Sequence, residues 1–120
     1  MKYRESEEMY METILLLKQK NATVYSIDIA TELNYSRPSV SRAVNLLQKK
    51  GYITIDKSGA IAFTKAGEDR ATEIYNRHKV ITQMLIKMGA SDDLAEDNAC
   101  RIEHVVSDEL VKIISEWLKK

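Results

Sequence analysis

The apolar periodicity of this chain is helical almost throughout, and it gives way to a strand-like alternation just after Gly51. That pattern predicts a mainly α fold carrying one β-hairpin. Tyr52-Ile53-Thr54-Ile55 and Ala60-Ile61-Ala62-Phe63 flank Asp56-Lys57-Ser58-Gly59, a polar, glycine-ended turn between two β-rich runs. Ahead of the hairpin, residues 6–19 read as a helix starting at Ser6, with Tyr10, Ile14 and Leu17 on one face. A short helix follows from Ser26, expected as its N-cap, to Leu33, burying Ile29, Ala30 and Leu33. Asn34-Tyr35 makes a tight turn. A third helix runs from about Ser36 to Lys49 with Val40, Val44 and Leu47 inward; Pro38 is tolerated in its first turn.

After the hairpin, Thr64 caps a long helix from Lys65 to Met88, roughly 36 Å at 1.5 Å per residue. Gly89 closes it. Ser91 opens a helix expected through Val105, and Ser107 or Asp108 opens a last one ending at Lys120. Leu110, Ile113, Ile114, Trp117 and Leu118 make that last helix apolar on one side, as a packing or dimer surface would be.

Helix, short helix, tight turn, helix, hairpin, helix is the order of a winged helix-turn-helix, followed here by further helices. The expected division is a DNA-binding domain over 1–64 and an α-helical dimerisation domain over 65–120, joined by the long connecting helix 65–88. The third helix carries Ser36, Arg37, Pro38, Ser39, Ser41, Arg42 and Asn45 toward solvent, and Lys57 sits on the wing. Arg pairs bidentately with guanine, Asn with adenine, and Ser reaches phosphates or base edges. Net charge is zero, which by itself does not mark a nucleic-acid binder. The distribution does more. Between residues 36 and 65 lie Arg37, Arg42, Lys49, Lys50, Lys57 and Lys65 against Asp56 alone, and phosphate binding depends on local charge.

The bulk properties restrict the setting. No apolar run approaches the roughly 20 residues that span a bilayer. The opening Met1-Lys2-Tyr3-Arg4-Glu5 lacks the apolar stretch of a signal peptide, and Cys100 is the only cysteine, so a cytoplasmic protein is expected. An enzyme is not expected: there is no Ser/His/Asp arrangement, no Gly-rich phosphate loop and no HExxH motif.

The candidate chemistry lies in Cys100-Arg101-Ile102-Glu103-His104. On a helix, positions i, i+3 and i+4 share a face, so thiol, carboxylate and imidazole would project together. Taken alone, the three residues fit either a metal site or a small core cysteine beside a surface Glu-His pair.

Three stretches carry a family resemblance: Glu8-Met9-Tyr10, Asn76-Arg77-His78, and Ala99-Cys100-Arg101-Ile102-Glu103-His104-Val105-Val106-Ser107-Asp108-Glu109. With Ser36 to Leu47 and the wing, they resemble the diphtheria-toxin-repressor and manganese-transport-regulator family across nearly the whole chain, in its short form without an SH3-like domain. The resemblance implies a dimeric, metal-activated repressor of metal-uptake genes that binds operator DNA. It also implies a metal site of Met9, Cys100, Glu103 and His104, with Glu12 and His78 added as in manganese-type members. Met9 and Cys100 follow the iron-type pattern, Glu12 the manganese type. Thr82 and Glu96 stand where iron-type members place two ancillary ligands, so that second site is not expected in its iron-type form.

Thioether and thiolate donors suit Fe(II), Co(II), Ni(II) or Zn(II) better than Mn(II). Fe(II) is therefore the preferred ion and Mn(II) the alternative, with Co(II), Ni(II) and Zn(II) as substitutes in vitro. A bound ion would order the recognition helices for half-sites about 34 Å apart. The rival reading is a metal-independent winged-helix regulator controlled by a small molecule or by dimerisation alone.

Overall fold

The computed structural model describes residues 7–120, so the expected helix start at Ser6 lies outside the described residues. The chain divides into two compact units, one reaching to Thr72 and the other running Glu73–Lys120. The fold is mainly α with one small hairpin.

In the first unit, α1 (Glu7–Lys20), α2 (Ser26–Leu33) and α3 (Arg37–Lys49) pack on one another around Tyr10, Ile14, Leu17, Ile29, Ala30, Val40, Val44 and Leu47, all buried. Leu33, expected inside, is only half-buried. The expected N-cap of α2 also moves. Tyr25 holds that position, and the Asp28 carboxylate accepts a hydrogen bond from the Tyr25 backbone N–H at 2.8 Å, leaving Ser26 as the first helical residue. An ionised acceptor three residues into the helix satisfies this backbone more strongly than a serine hydroxyl does. Asn34 ends α2 in the left-handed region at φ 56°, a conformation that asparagine tolerates. Tyr35 N–H then bonds to Ala30 O at 3.1 Å, and Ser36 caps α3 by accepting from Ser39 N–H at 3.3 Å.

Strands β1 (Ile53–Ile55) and β2 (Ile61–Phe63) pair antiparallel, with Ile53 opposite Phe63 and Ile55 opposite Ile61. Their turn is organised by Asp56, whose Oδ1 accepts from Ser58 N–H (2.9 Å), Ser58 Oγ (2.7 Å) and Ala60 N–H (3.0 Å). These donors, the Ser58 hydroxyl first, hold its carboxyl below the usual carboxylate range. The hairpin is tied to the segment between α1 and α2 by Ile61 N–H, which bonds to Val24 O at 2.8 Å, and to α1 by Lys18 Nζ, which donates to Ile61 O at 3.0 Å.

Helix α4 (Lys65–Lys87) begins against the hairpin. Thr64 Oγ1 accepts from Gly67 N–H at 3.1 Å and donates to Gly51 O at 2.6 Å. A Cβ on Gly67 would stand 1.8 Å from Tyr52 O, so only glycine permits this approach.

The second unit holds the rest of α4, α5 (Asp92–Ile102) and α6 (Asp108–Leu118), around Ile74, Val80, Ile81, Ala95, Ala99 and Val111. Ser91 caps α5 as its sequence position predicts, and of the two expected openers of α6 Ser107 is the cap. Helix α5 stops three residues earlier than expected. Glu103 is its C-cap, and the N–H groups of both Val105 and Val106 converge on Ile102 O, closing the helix in a turn. On α6 only Val111 is buried, while Leu110, Ile113 and Trp117 are exposed.

Candidate metal centre and DNA-binding face

Within the second unit, α4 and α5 bring together four of the six residues expected to bind metal. His78 comes from α4, Cys100 from the last turn of α5, Glu103 from its C-cap and His104 from the turn that follows. Because α5 ends early, His104 does not sit on a regular helix face with Cys100, which corrects the simple i, i+4 expectation. Glu103 keeps its helical bond to Ala99 O, so the Cys100–Glu103 spacing survives. Cys100 Sγ lies 4.0 Å and Glu103 Oε2 3.4 Å from His78 Nδ1, and His104 Nε2 lies 3.4 Å from Glu103 Oε1.

Glu103 is the centre of this arrangement. It is 0% exposed, and among the described residues neither of its oxygens has a hydrogen-bond partner. A buried carboxylate without hydrogen bonds is costly, and two imidazole nitrogens stand at 3.4 Å from this one. A divalent cation relieves that cost, and imidazole, carboxylate and thiol are the donor types that such an ion takes. The residues present therefore fit a metal ion.

Glu96 belongs to the same neighbourhood and was not among the expected ligands. Its Oε1 is 2.9 Å from His78 Nε2, and His78, Glu96 and Cys100 offer ligand-type atoms all within 4.8 Å of one another. The signal was available: Glu96 precedes Cys100 by one helical turn and shares its face. Thr82, by contrast, donates its hydroxyl to His78 O at 2.7 Å.

Met9 and Glu12 lie in the first unit, on α1 and one turn apart, both buried. Met9 Sδ accepts a hydrogen bond from Tyr35 Oη at 3.7 Å, and Met9 O accepts one from Thr13 Oγ1 at 2.8 Å.

The DNA-binding candidates occupy the outer side of α3 and the wing. Ser36, Arg37, Pro38, Ser41, Arg42, Asn45 and Lys57 are exposed, and Ser39 is half-buried. Arg42 donates to Ser39 Oγ at 3.4 Å and Asn45 to Ser41 Oγ at 3.5 Å, so the face is held together by weak bonds that a partner can replace. No acidic residue occurs on α3. The basic strip is narrower than the sequence suggests: Lys50 pairs with Glu7, and Lys65 with Asp69 at 3.6 Å. Among the described residues no ion pair engages Arg37, Arg42, Lys49 or Lys57.

Comparison with known proteins finds matches to both halves of the chain. Residues 2–61 match the iron-dependent repressor N-terminal DNA-binding domain, and residues 64–120 match the iron-dependent repressor metal-binding and dimerisation domain. The chain is similar to the diphtheria toxin repressor of Corynebacterium diphtheriae, 30% identical over 96% of this chain and 51% of that protein. It is also similar to an HTH-type transcriptional regulator of Methanocaldococcus jannaschii, 29% identical over 97% of this chain and 94% of that one. Among solved structures, the manganese regulator SloR superposes with a TM-score of 0.85 at 26% identity, covering 98% of this chain and 55% of that one. IdeR of T. acidophilum, at 21% identity and a TM-score of 0.87, shares the fold over 100% of this chain and 56% of that one. The chain thus spans about half the length of several relatives it matches. With matches that together cover residues 2–61 and 64–120, it belongs to the iron-dependent repressor family.

Proposed function

We propose that this protein is a metal-dependent transcriptional repressor of metal-uptake genes, binding operator DNA as a homodimer when loaded with Fe(II), or with Mn(II) as the alternative, in the cytoplasm. The observation that carries this reading is the buried Glu103 carboxylate between His78 and His104 in a chain whose α3 presents exposed Arg, Ser and Asn donors. His78, Cys100, Glu103 and His104 would hold the ion. Met9 and Glu12 join the ligand set through the family resemblance. A bound ion would supply positive charge beside the buried Glu103 carboxylate.

The remaining roles fall to the chain's own residues. Arg42 and Asn45 read base edges; Arg37, the serines and Lys57 hold phosphates. The exposed apolar side of α6, with Leu110, Ile113 and Trp117, supports a helix-mediated dimer. An ion that orders the DNA-competent state removes part of the ordering cost of DNA binding, a coupling of about 1–3 kcal/mol, and by reciprocity DNA tightens metal binding by the same factor. The softness of Met9 and Cys100 favours Fe(II). Among the described residues no helix is long and apolar enough to cross a membrane.

The deciding measurement is fluorescence anisotropy on genomic fragments, anaerobically, with chelator or with each divalent ion in turn. Fe(II) is expected to raise affinity at least several-fold over chelator. Equal affinity in chelator and in every ion removes metal control from the reading.

A further inference from the structure

Glu96 reaches the site through the other nitrogen of His78. The two ring nitrogens of His78 point in diverging directions: Nδ1 faces Glu103 Oε2 (3.4 Å) and Cys100 Sγ (4.0 Å), and Nε2 faces Glu96 Oε1 (2.9 Å). An ion held with Glu103 would therefore meet Nδ1, while Glu96 contacts the other ring nitrogen. A carboxylate has no proton to give, so at 2.9 Å the hydrogen of this bond belongs to Nε2. With Nε2 protonated, the neutral imidazole carries its lone pair on Nδ1, aimed at Glu103 and Cys100. The ring is also held in plane by Tyr75, stacked at 6.2 Å with 9° between planes.

We infer that Glu96 is a positioning residue: its contact with Nε2 makes Nδ1 the metal-ligating atom of His78. Carboxylate–histidine–metal relays of this kind fix the tautomer and raise the basicity of the ligating nitrogen, and losing the outer partner costs about 10–100-fold in metal affinity. The inference rests on the metal-dependent reading above and adds to it the atom that binds and the residue that selects it. It also accounts for a carboxylate in place of an ancillary ligand without requiring a second ion.

The test uses the full chain labelled with 15N-histidine and Zn(II) as a diamagnetic probe. Long-range 1H–15N spectra distinguish a coordinated Nδ1 from a coordinated Nε2, and calorimetry gives the affinity. In the wild-type protein Nδ1 is expected to bind the ion while Nε2 keeps its proton. Glu96→Ala should lower Zn(II) affinity by about 10–100-fold and change the His78 tautomer signals of the metal-free protein. Glu96→Gln should recover most of the affinity, because an amide oxygen still accepts from Nε2–H. Coordination through Nε2 overturns the inference while leaving metal binding intact. So does a Glu96→Gln as weak as Glu96→Ala, since Glu96 is then a ligand or a charge rather than an orienter. Failure of every variant, wild type included, to bind Zn(II), Fe(II) or Mn(II) overturns the metal reading itself and this inference with it.

Discussion

The outer face of α3 and the Glu103 centre both concentrate polar side chains, yet their physical situations are opposite. On α3 the groups are in water, their mutual bonds are long (3.4 Å and 3.5 Å), and exchanging them for phosphate or base contacts involves little desolvation of a lone charge. At the centre, a carboxylate with no exposed surface is placed where its neighbours leave it without a hydrogen bond. On the proposed reading the first arrangement would bind its partner by surface complementarity and be screened by salt. A cation would relieve the second, and an ion bound there would respond little to salt. Polar density alone therefore does not distinguish a partner surface from an ion site; burial does.

That contrast is most sharply broken at Glu103. Glu103→Gln keeps the shape and removes the charge, so DNA binding should lose its metal dependence. The metal-free protein should meanwhile become more stable, by about 1–3 kcal/mol, because an uncompensated buried carboxylate has been neutralised. Thermal melts in chelator and with Fe(II) check both halves. A metal-free Tm lowered by the substitution, with the metal-induced rise in Tm preserved, would mean that Glu103 serves packing rather than an ion.

Gly67→Ala probes the scaffold under the wing instead of either polar group. Its Cβ would lie 1.8 Å from Tyr52 O, a backbone atom that cannot swing aside, so the first unit should lose about 1–3 kcal/mol of stability. Denaturation followed in the intact chain, alongside Zn(II) titration, should show weaker folding and weaker DNA binding with metal affinity in the absence of DNA kept. An unchanged denaturation midpoint would show that α4 does not need this close approach.

On the α3 face itself, Arg42→Ala should cost about 1–3 kcal/mol on the preferred operator and relax preference at one base position, if its guanidinium reads guanine. Lys57→Ala should weaken all sequences alike and reduce the salt slope by about one. Operator selection from a random library, with binding measured at several salt concentrations, separates base reading from phosphate binding. Wild-type behaviour in both variants would move the recognition surface off α3 and the wing.

The smallest expected effect is at Asp56. Its folded-state carboxyl titrates below the ordinary value of 3.8, so its support of the wing turn is fully present above that pH and is lost only as pH falls through the lower folded value. The Ser58 and Ala60 amide resonances should be insensitive to pH from neutrality down to about 4 and shift below it. A midpoint above 3.8 would contradict the three hydrogen bonds that Asp56 accepts.

Local chemistry was legible in the residues because its partners are near in sequence. The helix starts near Ser36, Ser91 and Ser107, the buried stripe Val40–Val44–Leu47 and the Asp56–Gly59 turn all depend on spacings of a few residues, which helical or hairpin geometry dictates wherever the segment ends up. The early stop of α5 and the transfer of the α2 cap to Tyr25 were missed for a local reason as well: competing donors and acceptors one residue apart decided them. The residues alone named His78, Cys100, Glu103 and His104 only as candidates, by helical spacing and family resemblance. Tertiary packing decided that Glu103 has no exposed surface, that Glu96 meets His78 across 18 residues, and that Lys50 turns to Glu7 across 43. The reason is physical: spacing fixes which side chains share a face of one element, whereas desolvation, and with it the demand for a cation, arises only when a second element covers that face.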